Sequence, residues 1–234
     1  MILRNFNLLI DYFCLLVRWV FISCNFFLLK KKYRNYTLDD CEIFYINLEH
    51  RIDRLKKIED QFSRLGIYNA KKIKAIRNDF GALGCALSHK SIYEQVIDRN
   101  KLIVICEDDV VFHCSKTELE NLINTFYNDS RLDVLCLAHK SKLKMSVSDV
   151  FYITPNIQTM SCYVLKPSMV TKFIFIANQS ISGLMNGKTE RTHAIDQVWK
   201  KLQSSNIFVV PKLKCVTQGQ SYSDIRKKVV NYNV

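Results

Sequence analysis

The sequence predicts an α/β domain in which helices flank a central, mostly parallel sheet. Three observations lead to this fold class. Residues 102–106 form an unbroken apolar run that stops at Glu107, Asp108 and Asp109, which is typical of a strand buried on both faces. Short apolar runs of this kind alternate with stretches whose apolar residues recur at helical spacing. With 234 residues, 48% of them hydrophobic, the chain is long enough for one sizeable domain.

The first half of the domain is predicted to alternate regularly between strands and helices. Strands are expected at residues 43–48, 73–76, 102–106 and 133–137, and helices at residues 51–65, 83–97 and 117–127. Apolar residues at helical spacing place the first helix (Ile52, Leu55, Ile58, Phe62, Leu65), the second (Leu87, Ile92, Val96, Ile97) and the third (Leu119, Leu122, Ile123, Phe126). Gly66 follows the first helix as a stop.

The second half of the domain has a looser pattern. Residues 140–150 are polar and basic and are expected to form an exposed loop, followed by a strand at residues 159–165. Pro167 suits the first position of a helix that continues to Ile176. Gly183 and Gly187 suggest a mobile lid over residues 180–192. A short helix at residues 194–202, a strand at 207–210 and a weakly patterned tail complete the prediction.

The N-terminal residues 1–36 form a hydrophobic segment separate from the predicted domain at residues 41–226 and from the basic tail at 227–234. Residues 12–29 are mostly apolar and approach the length of a membrane span, but Arg18 weakens that interpretation. Three alternatives remain open: a weak signal anchor, an interfacial helix, and a helix docked on the domain. Membrane association through residues 12–29 is therefore expected without a definite side; the domain is otherwise expected to be cytoplasmic.

Composition narrows the classes of partner. The net charge of +12 favours an anionic ligand such as a nucleotide diphosphate, and is also compatible with an anionic membrane surface. No stripe of interleaved arginine and aromatic residues favours nucleic acid, so nucleic acid is not expected as a partner. The nine cysteines include no Cys-x-x-Cys pair, which argues against a structural zinc site and is typical of a reducing compartment.

The acidic run at the end of the third predicted strand is the strongest candidate for a functional site. Ligands of parallel α/β sheets bind at the carboxyl ends of the strands, where these acids lie. On an extended chain Glu107 and Asp109 project together while Asp108 points away. Two carboxylates on one side suit a hard divalent cation, Mn²⁺ or Mg²⁺. The alternative is a solvated acidic turn, or a cap for the helix expected after Ser115.

Four stretches, in their order and spacing, resemble glycosyltransferase family 25. They are Tyr45-Ile46-Asn47-Leu48 with Arg51, Asp53, Arg54 and Leu55; Gly81-Ala82-Leu83-Gly84-Cys85-Ala86-Leu87-Ser88-His89; Ile105-Cys106-Glu107-Asp108-Asp109-Val110; and Gln220-Ser221-Tyr222-Ser223-Asp224-Ile225. The resemblance implies a GT-A-type nucleotide-binding fold. It also implies inverting transfer of a hexose, galactose or glucose, from a UDP-sugar donor to a hydroxyl of a glycan or hydroxylated protein acceptor.

The resemblance implies roles for individual residues. Glu107 and Asp109 would hold the metal and, through it, the diphosphate, and Asp196 is the candidate base. The residues expected to bind the donor are Asn47, Leu48, Arg51, Arg54, Ser88, His89 and Asp108. Structural roles stay open for three of these residues: Asp108 and Asp196 as helix caps, and His89 as a core histidine. His193 is either a third metal ligand or a bystander. A non-catalytic nucleotide-sugar binder, a membrane-associated scaffold and a basic surface-binding protein are the alternative functions.

Overall fold

An eight-stranded sheet forms the centre of the protein, seen in a computed structural model that describes residues 2–24, 34–141, 143–219, 221–223 and 228–230. Its strands lie in the order β2-β1-β3-β8-β5-β9-β7-β6. Their bounds are β1 Glu42–Asn47, β2 Lys71–Lys74, β3 Ile103–Glu107, β5 Val134–Cys136, β6 Met145–Ser146, β7 Phe151–Ile153, β8 Cys162–Leu165 and β9 Phe208–Pro211. Two small sheets pair β4 Val110–Phe112 with β10 Val216–Gln218, and β11 Ser221–Ser223 with β12 Lys228–Val230.

Most strands of the central sheet run in one direction, which confirms the predicted fold class. β1 pairs in parallel with β2 and β3, and β5 pairs in parallel with β9. β8 and β7 run the opposite way, and β8 lies between β3 and β5. The sequence predicted a strand near residues 159–165 but not its reversed direction, because a buried strand shows the same apolar run in either orientation.

Helices cover both faces of the sheet. They are α1 Ile2–Cys24, α2 Ile52–Arg64, α3 Gly81–Gln95, α4 Lys116–Asn128, α5 Val170–Met185, α6 Glu190–His193 and α7 Ile195–Val198. α2 and α4 pack on the face that includes Val104 and Cys106 of β3. α3, α5 and α7 pack on the opposite face, which includes Ile103 and Ile105. The alternation of β3 between two cores explains its continuous apolar sequence.

The region predicted as a mobile lid is helical, and that prediction is wrong. α5 continues to Met185, and α6 occupies Glu190–His193. Gly183 lies inside α5, where a Cβ atom would collide with the ring of His193, so this glycine permits close packing of α5 and α6. Gly187, with φ of 76°, follows the end of α5 in the left-handed region that favours glycine. Residues 140–150, predicted as a loop, include the two-residue strand β6.

The N-terminal helix α1 docks against the far edge of the sheet. Leu15 and Ile22 are buried against Ile153 of β7, and the Trp19 indole N–H donates to the Ser146 carbonyl at 2.8 Å. Within the part of the chain that the structure describes, no helix is long and apolar enough to cross a membrane. Residues 25–29 of the segment predicted to associate with membranes lie outside the described residues.

Candidate active site

A cavity of about 320 Å³ opens at the carboxyl ends of β1, β2 and β3. This is the edge at which α/β sheets bind ligands. Its walls come from the end of β1 and the start of α2, the segment between β2 and α3, the first turns of α3, the acidic turn after β3, and Gln218 of β10. The predicted site residues that line it are Leu48, Arg54, Ser88, His89, Glu107, Asp108 and Asp109.

The three consecutive carboxylates face the same cavity, which corrects the prediction that Asp108 points away. β3 ends at Glu107, so Asp108 and Asp109 form a turn before β4 and strand alternation no longer applies to them. Arg54 Nη1 lies 2.8 Å from Asp108 Oδ1 and 3.1 Å from Asp109 Oδ2. Asn47 Nδ2 donates to Asp108 Oδ2 at 2.7 Å. The two aspartates are thus held by one guanidinium group.

Asp109 is buried with one of its two carboxylate oxygens unpaired among the described residues. Burial, followed by the charge of Glu107, raises the pKa of Asp109 to about 7, although Arg54 acts in the opposite direction. Asp109 Oδ2 accepts from Gln218 Nε2 at 3.2 Å, whereas the buried Oδ1 has no hydrogen-bond partner among the described residues. Burial also raises the pKa of Asp108. A cation at this turn would supply the compensation that Asp109 lacks.

The first turns of α3 form another wall of the cavity, next to Glu107. The Ser88 hydroxyl donates to the Gly84 carbonyl at 2.7 Å and accepts from the Ile76 amide at 2.8 Å, so it fixes the segment between β2 and α3. A Cβ atom at position 84 would lie 2.5 Å from the Ile76 carbonyl oxygen. Glycine at this position therefore lets the segment lie directly on the helix.

Cys85, His89 and Glu107 form a cluster that the sequence analysis missed. The Glu107 Oε1 atom lies 3.6 Å from His89 Nε2 and 3.9 Å from Cys85 Sγ. One ligand atom from each residue lies within 4.8 Å of the others, so the group could hold a metal ion. Burial and the nearby Glu107 raise the pKa of the Cys85 thiol well above its ordinary value. The spacing of Cys85 and His89, four residues apart on a helix, is a signal that could have identified the cluster.

Three predicted site residues do not line the cavity. Arg51 forms two hydrogen bonds with Asp53, at 2.9 and 2.8 Å, and Asn47 is buried beneath the acidic turn. Asp196, in the first turn of α7, is partly buried; this burial raises its pKa, and Glu107 adds to that rise. Asp196 therefore lies within electrostatic reach of the acidic turn without facing the cavity.

Other predicted positions take structural roles or lie beyond the described residues. His193 packs against Gly183 and contacts the Thr192 hydroxyl at 2.9 Å. Asp224 and Ile225 of the predicted C-terminal motif lie outside the described residues. The structure adds His50, Arg77 and Asn78, which line the cavity and were not selected from the sequence. Their positions depend on loops whose course the sequence pattern does not determine.

The model of the protein family described as glycosyltransferase family 25 (LPS biosynthesis protein) matches residues 72–199, which is more than half of the chain. The chain belongs to glycosyltransferase family 25. The matched region of this family member contains Ser88, His89, the acidic turn and Asp196, and ends before β9. It begins after Asn47, Arg51 and Arg54. No curated protein matches the chain significantly.

Three solved structures are similar to this family member, each with low sequence identity. A UDP-glucose pyrophosphorylase complexed with UDP-glucose has 10% identity and a TM-score of 0.44, over 78% of this chain and 83% of that one. A mannose-1-phosphate geranyltransferase from Thermus thermophilus has 7% identity and a TM-score of 0.38, over 77% of this chain and 74% of that one. A CTP:phosphocholine cytidylyltransferase from Streptococcus pneumoniae has 10% identity and a TM-score of 0.40, over 76% of this chain and 93% of that one.

Proposed function

We propose that this protein transfers a hexose, galactose or glucose, from a UDP-sugar to a hydroxyl of a glycan or protein acceptor with inversion. Family membership supports glycosyl transfer as the reaction class. The observation that carries the proposal is the row of three carboxylates at the wall of a cavity of about 320 Å³ at the carboxyl edge of the sheet. The exposed Arg77 at the rim of this cavity supplies a positive charge suited to a diphosphate.

We propose that Glu107 and Asp109 hold a divalent cation, Mn²⁺ or Mg²⁺. The buried and unpartnered Asp109 Oδ1 fits this role, because a carboxylate whose pKa is about 7 gains most from a nearby cation. When bound, the cation would offset the negative charge that develops on the leaving diphosphate. Arg54, already engaged with Asp108 and Asp109, would keep the two carboxylates in place.

We propose Asp196 as the base that removes the acceptor proton; because Asp196 lies outside the cavity wall, this role requires the acceptor to bind beside the cavity, on the side of α7. Burial raises its pKa, which moves a carboxylate toward the range useful for proton transfer near neutral pH. We expect Asp196→Asn to lower the transfer rate at least roughly hundredfold, the usual contribution of a positioned base. The affinity for the donor should stay unchanged, and equal loss of donor affinity would contradict this role.

A thermal-shift assay tests donor and metal binding together. UDP, UDP-galactose and UDP-glucose should raise the melting temperature in the presence of Mn²⁺ and much less in the presence of a chelator. Asp109→Asn should abolish the metal-dependent part of the shift. Asp60→Asn, a neutralisation on the exposed side of α2, is the matched control and should preserve it. Equal shifts with and without metal would refute metal-assisted binding.

We also propose that α1 attaches the domain to an anionic membrane surface without crossing the membrane. Its outward side consists of exposed apolar side chains, among them Leu9 (67% exposed), Phe13 (65%) and Val17 (52%). Asp11 and Arg18 are partly buried, so these two charges do not interrupt the exposed apolar side between residues 9 and 23. Residues 1–36 carry six basic residues and one acidic residue, which favours anionic lipid headgroups.

Vesicle sedimentation distinguishes this attachment from self-association of α1. The full chain should bind vesicles of phosphatidylcholine with phosphatidylglycerol and bind pure phosphatidylcholine weakly. Phe13→Asp should release it, whereas Met185→Asp, at a residue of α5 that is 71% exposed, should not. The membrane proposal would be contradicted if the wild type bound neither kind of vesicle but formed dimers, and if Phe13→Asp abolished those dimers.

A further inference from the structure

A row of three fully buried side chains begins at His89 in the cavity wall and extends away from the cavity. His89 Nδ1 lies 2.8 Å from the Tyr163 hydroxyl oxygen, which lies 2.6 Å from the Tyr93 hydroxyl oxygen. His89 and Tyr93 are one turn apart on α3, and Tyr163 belongs to the reversed strand β8. Each of the three residues is 0% exposed. The row ends at His89 Nε2, which is buried and lacks a hydrogen-bond partner among the described residues.

The two hydroxyl protons determine the direction of this row. Within the described residues, the Tyr93 hydroxyl is hydrogen-bonded to Tyr163 and to no other group, so its proton has Tyr163 as its acceptor. The Tyr163 proton must then point to His89 Nδ1. A neutral imidazole that accepts at one ring nitrogen carries its proton on the other. His89 therefore presents an Nε2–H donor toward the cavity.

The reversed arrangement is disfavoured at both ends of the row. If Nδ1 carried the proton, Tyr163 would donate to Tyr93, and the Tyr93 proton would be buried without an acceptor. The lone pair of Nε2 would also face the Glu107 carboxylate, whose Oε1 atom lies 3.6 Å away. A metal ion on Nε2 would impose this same reversed arrangement.

We propose that Tyr93 and Tyr163 fix His89 as the tautomer protonated on Nε2, so that Nε2–H and Glu107 Oε1 together bind one hydroxyl of the donor sugar. A hydroxyl group can accept from a ring N–H while it donates to a carboxylate. Nε2 and Oε1, 3.6 Å apart, can both lie within hydrogen-bond distance of one hydroxyl oxygen. The sugar as ligand rests on the proposed function, but the tautomer does not. Tyr163 and Tyr93 are positioning residues in this scheme, acting through His89.

Nitrogen-15 NMR of the full chain, with labelled histidine and no ligand, tests the tautomer directly. The His89 signals can be assigned by their loss in His89→Asn. We expect Nδ1 to be a hydrogen-bonded acceptor and Nε2 to carry a proton. A proton on Nδ1 would overturn the inference regardless of whether the protein binds a sugar nucleotide.

Nitrogen-15 spectra of two matched variants test the role of the row. Tyr163→Phe removes the hydroxyl that donates to Nδ1, so the Nδ1 signal should move toward that of a ring nitrogen without a hydrogen bond. Tyr93→Phe, which removes a hydroxyl from the same row but keeps the Tyr163 donor, should leave the His89 signals as they are in the wild type. Unchanged His89 signals in Tyr163→Phe would overturn the role of Tyr163.

Donor binding provides a readout that a purely structural tyrosine would not change. Tyr163→Phe should lower the affinity for UDP-galactose or UDP-glucose roughly two- to tenfold while the affinity for UDP stays unchanged. Tyr93→Phe should leave both affinities unchanged. A parallel loss for UDP and UDP-sugars would contradict hydroxyl recognition. If the wild type binds neither UDP-sugar, the proposed function fails, and the NMR measurement still decides the tautomer.

Discussion

Two buried regions of this protein treat their polar groups in opposite ways. Over β8, β5 and β9, the Gln203 side chain bonds both the amide and the carbonyl of Ile157, at 2.8 and 2.9 Å, and Trp199 Nε1 donates to the same carbonyl at 2.8 Å. At the cavity edge, Asp109 Oδ1 and His89 Nε2 are buried without partners among the described residues. Unmade hydrogen bonds cost stability, so the first region favours folding, whereas the second keeps buried polar atoms that the proposed ligands would satisfy.

The largest effect that separates the two regions is expected from Trp199→Ala. Trp199 is fully buried and packs edge-to-face on Phe173 and Phe208, at centroid distances of 6.3 and 5.5 Å. We expect the free energy of unfolding to fall by about 3–5 kcal/mol, as measured by urea denaturation. Phe175→Ala, at an exposed residue of α5, should change it by less than about 0.5 kcal/mol. Similar effects of both variants would show that this cluster does not dominate the core.

Unlike Trp199→Ala, Asp109→Asn should lower activity without lowering stability. We expect a loss of roughly hundredfold or more in glycosyl transfer, the scale seen when a group stabilising developing charge is removed. The melting temperature in a chelator should not fall, because a neutral amide removes the cost of a buried carboxylate. Activity assays and thermal melts on one preparation measure both. A destabilised but active variant would show that the acidic turn serves folding.

Gln203→Leu sharpens the same comparison with a smaller change. It leaves the Ile157 amide without its hydrogen bond inside the core, which should cost about 1–3 kcal/mol of unfolding free energy. Donor affinity measured by calorimetry should be unchanged, because Gln203 does not line the cavity. If the folded Gln203→Leu protein bound the donor more weakly, the buried core around Gln203 would contribute to donor binding, and the two regions would not be independent.

The smallest expected effect is a pH dependence of stability at the cavity edge. The folded pKa of Asp109, about 7, exceeds its unfolded value, so the folded state binds the proton more tightly. This contribution is fully present below the unfolded pKa, near 4, and is lost as pH rises through about 7. In a chelator, the melting temperature should therefore fall more between pH 5 and 8 for the wild type than for Asp109→Asn. If the melting temperatures of the wild type and Asp109→Asn changed with pH in the same way, the titrating group would not be Asp109.

Local patterns were sufficient for the fold class and for the location of the cavity. The apolar run of β3 and the helical spacing in α2, α3 and α4 predicted these elements near their observed bounds. Position on the strand also predicted that the acids after β3 would line a binding edge. The orientation of Asp108 could not be predicted in this way, because the strand ends one residue earlier.

The sequence by itself determined where apolar strands end and which acids follow them, because periodicity and burial are local properties of the chain. Only the tertiary structure decided that the reversed strand β8 lies beside β3 and brings Tyr163 to His89. It also decided that Cys85 meets Glu107 and that Asp196 lies outside the cavity wall. These contacts join residues distant in sequence, and pairing between distant segments depends on how the whole sheet assembles, which no short stretch of sequence records.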